Sequence, residues 1–236
     1  TMNDINSSNI CTFERLISGA ERIAIVTHMK PDGDAMGSSL ALYHFLRNSG
    51  KPSRIILNDT YPPYLGFIAG KSRKEDIVIY EDSPALAESA ITGSDLVICL
   101  DFNAFHRTDR LEKALMESTG RKILIDHHLN PSRELFDLSF SETEVSSASE
   151  LLYHILMKTS IISDDAGRLG KDCREALMTG MTTDTNNFAN SVYPSTFSMA
   201  SELISAGVDR DLILARLYNR FKESRIRLQG LMLNER

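Results

Sequence analysis

Five short runs of apolar, mostly β-branched residues constrain this chain more than any other feature: Ile23-Ala24-Ile25-Val26, Arg54-Ile55-Ile56-Leu57, Ile77-Val78-Ile79-Tyr80, Leu96-Val97-Ile98-Cys99-Leu100 and Ile123-Leu124-Ile125. They are continuous rather than alternating, which predicts strands buried on both faces. Helical patterns fall between them, at Ala35 to Asn48, closed by Gly50, and at Leu111 to Ser118. Strand and helix in alternation predict an α/β fold, with a mostly parallel five-stranded sheet covered by helices on both faces. In such a sheet ligands bind in the crevice beyond the carboxyl ends of the strands.

The polar residues obey that rule. His28 to Asp34 follow the first run, Asp101 the fourth, and Asp126-His127-His128 the fifth, so all three clusters are expected on one edge. After Ser141 the pattern is helical: Ala148 to Thr159, Asp172 to Met181, Ser195 to Ala206, Asp209 to Phe221 and Lys222 to Arg236. We read residues 1–208 as one domain and 209–236 as a helical linker leading towards a further domain. The leading Thr1-Met2 pair reads as an addition ahead of a native start.

Composition narrows the function classes. Apolar residues make up 42% of the 236 and charged residues 25%, a balance that supports a packed core rather than disorder. The net charge of −6 argues against a partner such as long duplex nucleic acid and favours a short or small phosphorylated ligand. Three scattered cysteines, Cys11, Cys99 and Cys173, point to a reducing compartment and away from thiol chemistry. No apolar run reaches the ~18 residues needed to cross a bilayer, so a cytoplasmic location without membrane contact is expected. A homodimer is compatible with the sequence and not required by it.

Four segments carry the chemistry. In Thr27-His28-Met29-Lys30-Pro31-Asp32-Gly33-Asp34-Ala35-Met36-Gly37-Ser38, one glycine separates two carboxylates, so both can reach neighbouring cations from one turn, with His28 adding a nitrogen ligand. A helix starting near Gly37 and Ser38 would offer free amides to a phosphate. Asp32 and Asp34 equally suit a turn and a helix cap. Asp101, at a central strand's end, can bridge two metals, with Arg107 a short loop away to clamp a phosphate; a capping aspartate and a solvated arginine are the alternative. In Lys122-Ile123-Leu124-Ile125-Asp126-His127-His128, one histidine can ligate metal, the other can meet substrate, and Asp126 can orient an imidazole. Asp184, among Thr182, Thr183, Thr185, Asn186 and Asn187, suits either a metal ligand or a loop carboxylate. His44 and His154 sit in helical apolar patterns and read as packed residues, His106 as exposed, and Ser147-x-x-Glu150 as a capping box.

Taken together, the four segments resemble the DHH-family phosphoesterases, in the family's order, over residues 22 to about 190. His28-x-x-x-Asp32-Gly33-Asp34-Ala35-x-Gly37-Ser38 and Ile125-Asp126-His127-His128 carry the likeness most specifically. Ser146-Ser147-Ala148-Ser149-Glu150 and Thr183-Asp184-Thr185 point to the branch of oligoribonucleases and phosphoadenosine-phosphate phosphatases. The chain departs from that branch at Asn186, where members often carry glycine, and in having no Gly-Gly pair, the mark of the branch's second, substrate-selecting domain.

The resemblance implies a hydrolase with two divalent ions, manganese foremost and magnesium an alternative. His28, Asp32 and Asp101 would hold one ion, and Asp34, Asp101, His127 and Asp184 the other, with Asp101 shared. Substrate would meet His128, Arg107, Gly37 and Ser38, and Asp101 and His128 would be the catalytic pair. Four carboxylates in one crevice repel by roughly 1–4 kcal/mol per close pair, which two divalent cations would neutralise. The expected substrate is a short oligoribonucleotide or the 3'-phosphate of phosphoadenosine phosphate. A cyclic dinucleotide, a polyphosphate or pyrophosphate is the alternative, and an inert nucleotide-binding module the alternative outside catalysis.

Overall fold

The computed structural model describes residues 2–218. The chain runs α1 (Ser7–Gly19), β1 (Ile23–Thr27), α2 (Gly33–Asn48), β2 (Ser53–Leu57), α3 (Gly66–Ala69), β3 (Ile77–Ile79), α4 (Pro84–Thr92), β4 (Leu96–Leu100), α5 (Glu112–Glu117), β5 (Arg121–Asp126), β6 (Leu138–Ser141), α6 (Ala148–Met157), α7 (Lys171–Asp184), α8 (Pro194–Ser205) and α9 (Arg210–Tyr218). The strands form one parallel sheet in the order β3-β2-β1-β4-β5-β6.

All five predicted strands are present, and the sheet has a sixth. β6 escaped the sequence reading because only Leu138 and Phe140 of its four residues are buried, too short an alternation to stand out. As an edge strand it needs a cover, and α1 supplies one: Phe13 meets Phe140 edge-on with ring centroids 5.9 Å apart.

Two cores flank the sheet. Ile25, Ile55, Ile98 and Ile123 face the larger one with α1, α2, α6 and α7, while Val26, Ile56, Val97, Cys99 and Leu124 face the smaller one under α4 and α5. Burial on both sides explains the continuous apolar runs.

Strand order reverses between β1 and β4, which pair from Ile23↔Leu96 to Thr27↔Leu100. That reversal opens a crevice at their carboxyl ends, and the Thr27 hydroxyl donates across it to the Leu100 carbonyl at 2.9 Å. The loops after β1 and β4 therefore emerge side by side, with β5 adjacent.

The helix after β1 is enclosed. Every residue of α2 from Gly33 to Leu46 is buried, held between the sheet and α6 and α7. Its contact with α7 is a backbone seam: a Cβ at Gly37 would lie 2.6 Å from the Gly180 Cα and 2.8 Å from the Ala176 carbonyl oxygen. At the C-terminal side, Ile213 of α9 is buried in the core, so the stretch read as linker begins as a packed helix. The rest of that stretch, including the helix predicted from Lys222 to Arg236, lies outside the described residues.

The Gly37 seam predicts that Gly37→Ala lowers stability by about 2–3 kcal/mol, because two backbones must separate to admit one methyl. Thermal unfolding should shift down by roughly 5–10 °C. An unchanged melting temperature would contradict the seam.

Candidate metal centre

The site is built from helix caps and strand ends. Asp32 caps α2, its Oδ1 accepting from the amides of Asp34 and Ala35 at 3.0 Å each. The reading of Asp32 as a cap is therefore right, and capping through Oδ1 does not remove it from the cluster. Asp34 sits in the first turn of α2, 1% exposed, and caps a different helix. Its Oδ2 accepts from the Ala148 amide at 2.7 Å and its Oδ1 from the Ser149 amide at 2.9 Å, both at the N-terminus of α6.

His28 points inward because its other ring nitrogen is fixed. Nδ1 lies 2.7 Å from the Met29 carbonyl, which can only accept, so Nδ1 carries the proton and Nε2 is free to ligate. Nε2 is 3.4 Å from Asp101 Oδ2 and 3.9 Å from Asp32 Oδ1. His127 Nε2 occupies the opposite side, 3.4 Å from Asp101 Oδ1, 3.6 Å from Asp184 Oδ2 and 4.0 Å from Asp34 Oδ2.

Asp101 stands between the two imidazoles. Its φ of 64° is in the left-handed region, which aspartate tolerates better than most residues, and its amide is held by the Ile125 carbonyl at 3.1 Å. The side chain is buried, yet Oδ1 has no hydrogen-bond partner among the described residues. An orphaned oxygen on a buried carboxylate is costly unless a cation completes it.

Three groupings have ligand atoms within 4.8 Å of one another: His28, Asp32 and Asp101; Asp34, His127 and Asp184; and Asp101, His127 and His128. Ligands sharing one ion at about 2.1 Å are themselves roughly 3 Å apart or a little more, so these spacings fit divalent metal. The seven charged or imidazole residues picked out as the core of the site thus come together, from four separate segments.

The substrate-facing residues divide differently. His128 points outward, its side chain 44% exposed, with Nδ1 2.7 Å from Asp126 Oδ1 and its amide donating to Asp126 Oδ2 at 3.2 Å. Arg107 is exposed, and its carbonyl accepts from the Met29 amide at 2.8 Å, which places it beside His28. Its side chain forms no ion pair among the described residues.

Gly37 and Ser38 are not available to a phosphate. The helix starts at Gly33, two residues before the Ala35 of the helical pattern and four before Gly37, which puts Gly37 and Ser38 in its buried second turn; Gly37 is the α7 seam and the Ser38 hydroxyl donates to the Asp34 carbonyl at 2.7 Å. Asp184 likewise ends α7 rather than lying in a loop. The expected capping box is half formed: the Ser147 hydroxyl accepts from the Glu150 amide at 3.0 Å, but the Glu150 carboxylate turns to Ser146. His44 is buried and His106 exposed, as expected, and His154 is mostly covered beside Glu150. The amides of Ala148 and Ser149 are the contribution the sequence reading missed. The helix start at Ser147 was visible, but nothing marked it as facing Asp34.

The electrostatics follow from this crowding. Burial pulls the His28 imidazole down, but the hydrogen bond and charge of Asp101 outweigh it and push it up to about 9. His127 is likewise pulled down by burial and pushed up to about 9 by Asp101, Asp34 and Asp184. Asp34 is raised well above the usual carboxylate range by burial and by the charges of Asp101 and Asp184. Burial raises Asp184 to about 6, aided by Asp101 and Asp32 against the opposing pull of His127. Asp101 is pushed up by burial and down more strongly by the two imidazoles, ending at about 2.

The model of the DHH family, N-terminal domain, matches residues 22–181, most of the chain. The chain belongs to the DHH family. A solved exopolyphosphatase-related protein from Bacteroides fragilis superimposes with a TM-score of 0.90 at 37% identity, covering 99% of this chain and 67% of that one. The bifunctional oligoribonuclease and PAP phosphatase NrnA of Bacillus subtilis is 24% identical, over 92% of this chain and 62% of its own length. The cyclic-di-AMP phosphodiesterase PdeA of Listeria monocytogenes is 24% identical, over 85% of this chain and 30% of its own. This DHH chain therefore spans less than two thirds of the length of either of those curated relatives.

Among the described residues of this DHH domain, no helix is long and apolar enough to cross a membrane. The backbone at Asn186 also has its reason here. Asn186 has φ 46°, a left-handed position that glycine suits best and asparagine suits next.

The titrations of the DHH cluster set a pH dependence. The raised imidazoles stabilise the metal-free fold fully below their unfolded value near 6.5 and lose that contribution as pH rises through about 9. Raised Asp34 and Asp184 act in the same direction, since their ionisation on folding is opposed. The melting temperature of metal-free protein should therefore fall between pH 6.5 and 9, and added Mn2+ should restore it at the upper end, its affinity rising with pH as protons leave the imidazoles. A melting temperature that rises with pH in chelator would contradict these assignments.

Proposed function

We propose that this chain carries the hydrolytic centre of a phosphoesterase that binds two divalent cations, manganese foremost, and cleaves short oligoribonucleotides or the 3'-phosphate of phosphoadenosine phosphate. The observation that carries the proposal is the pair of ligand triplets, His28-Asp32-Asp101 and Asp34-His127-Asp184, joined through Asp101. A binding module has no use for two adjoining cation sites.

His28, Asp32 and Asp101 would hold one cation, and Asp34, Asp101, His127 and Asp184 the other. Carboxylate and imidazole donors without thiolate suit manganese, with magnesium the alternative. Divalent cations held there would supply Lewis-acid activation of a water and charge neutralisation at the phosphoryl oxygens. Every other task falls to side chains.

Asp34 keeps its two oxygens fixed by the α6 amides, so the second triplet is pre-organised. Asp126 holds the His128 ring by Nδ1, which leaves Nε2 facing outward. The Asp126 hydrogen bond is also the largest cause of the upward shift of His128, which keeps the imidazole charged nearer neutrality. His128 Nε2 binds the phosphate and returns a proton to the departing oxygen. Arg107, beside His28 and free of ion pairs among the described residues, clamps the same phosphate.

The similarity to a bifunctional oligoribonuclease and PAP phosphatase over 92% of this chain supports the substrate class. A second reading, cleavage of a cyclic dinucleotide, is supported by the similarity to the Listeria phosphodiesterase. The net charge of −6 favours either over long nucleic acid.

Turnover of diadenylate, phosphoadenosine phosphate, cyclic diadenylate and pyrophosphate with Mn2+ ranks these substrates. The first two should be hydrolysed fastest, and activity on pyrophosphate alone would overturn the proposal. In calorimetry the wild-type chain should bind two Mn2+ and Asp101→Ala should weaken both. Equal binding by the two proteins would refute a shared Asp101. His128→Ala should keep both ions and lose roughly 10²- to 10³-fold in kcat.

A further inference from the structure

Glu150 is a fully buried carboxylate that touches none of the candidate metal ligands, yet it is among the most heavily bonded side chains in the molecule. Its Oε2 accepts from the Ser146 amide at 2.9 Å, from the Ser146 hydroxyl, and from the Thr196 hydroxyl at 2.7 Å. Its Oε1 accepts from the Ser195 hydroxyl at 2.6 Å, with His154 Nε2 3.5 Å away. Burial alone would favour its neutral form, but His154 and the three hydroxyls hold the carboxyl down at about 2. A buried charge completed on both oxygens has one low-energy place to sit.

What that place fixes is the start of α6. Ser146, pinned twice by Glu150, is two residues before Ala148, and the Ser147 hydroxyl receives the amide of Glu150 itself. Ala148 and Ser149, between these anchors, are the two amides that grip Asp34. The other side of Asp34 has no slack: a Cβ at Gly180 would lie 3.0 Å from Asp34 Oδ1 and 2.0 Å from the Ser149 hydroxyl. Movement of the first turn of α6 is therefore transmitted to one carboxylate of the cluster. Among the described residues no hydrogen bond runs from α6 to His28, Asp32 or Asp101; Asp32 is reached only at one remove, through the Asp34 amide that its Oδ1 accepts.

We infer that Glu150 is a positioning residue for the second cation triplet: by joining the Ser146 loop and the start of α8 to the first turn of α6, it aims the Ala148 and Ser149 amides at Asp34. This rests on the two-cation centre proposed above. Its consequence is selective, since loosening Glu150 should disturb the Asp34-His127-Asp184 triplet and spare His28-Asp32-Asp101.

The test compares Mn2+ titrations, Mn2+ electron paramagnetic resonance and steady-state kinetics for wild type, Glu150→Gln, Thr196→Val and Tyr153→Phe. Glu150→Gln should weaken one of two Mn2+ affinities about tenfold or more and leave the other unchanged. It should lose the exchange-coupled two-ion spectrum at limiting Mn2+, and lower kcat with KM unaltered; excess Mn2+ should restore most of the loss. Thr196→Val, which removes one of the bonds, should move the same affinity by a smaller factor and serves if Glu150→Gln does not fold. Tyr153→Phe breaks the other α6–α8 link, to Glu202, and should lower the melting temperature while leaving both affinities intact. Wild-type affinities for both ions in Glu150→Gln and Thr196→Val, or an equal loss in Tyr153→Phe, would overturn the inference. A wild-type chain that binds fewer than two ions would instead overturn the two-cation proposal, and is recognised before any variant is compared.

Discussion

Repulsion among carboxylates gathered in one crevice is the constraint around which this domain is arranged. Asp34 and Asp101 are almost wholly buried, Asp184 is exposed at the rim, and they share one imidazole hub in His127. Burial first, and then the charge of neighbouring carboxylates, presses Asp34 and Asp184 upward, while the imidazoles of His127 and His28 overcome burial at Asp101 and press it down to about 2. The shell holds the ligands in place by other means: helix amides on Asp32 and Asp34, a backbone amide at Asp101, a carbonyl on His28. Rigidity that does not depend on the ion is what allows a cation to enter without reorganising its ligands.

Helix N-termini do most of that holding, and glycine makes it sterically feasible. Asp32 caps the helix that begins with Gly33, Asp34 caps α6, and Glu150 receives the hydroxyls of the first turn of α8. Each acid faces partial positive charge where a helix begins. The seam between Gly37 and Gly180 lets α2 and α7 approach until Asp34 and Asp184, on different helices, share His127. Gly37 thus acts through packing, as the point where the backbones of α2 and α7 meet.

Much of this was legible in the sequence, for a physical reason. Parallel strands buried on both faces must be continuous apolar runs, and their carboxyl ends must share an edge, so Asp101 and Asp126-His127-His128 could be placed beside the His28 loop before any coordinates. β6 was not legible because an edge strand with one buried face and four residues leaves almost no pattern. Gly37 and Ser38 were misplaced because a start at Gly33, directly behind the Asp32 cap, looks in sequence much like a start one turn later. The grip of Ala148 and Ser149 on Asp34 was invisible because backbone amides carry no residue signature. Asn186 suits its place, since asparagine tolerates the left-handed backbone the position adopts better than most residues.

In the proposed function, the two histidines of the Asp126-His127-His128 turn divide chemistry from recognition. Both rings lie beside Asp101, 4.6 Å apart and tilted by 54°, but His127 sends Nε2 into the carboxylate cluster while His128 turns Nδ1 to Asp126 and keeps a side chain 44% exposed. Asp126, completely buried, can brace only one of them, and it braces the exposed one. His127 needs no brace, because three carboxylates already attract its Nε2. An outward imidazole without such an anchor would be free to turn through several rotamers. A fixed one presents Nε2 in a constant direction, so a phosphate held there is presented in a constant orientation to the cluster behind it.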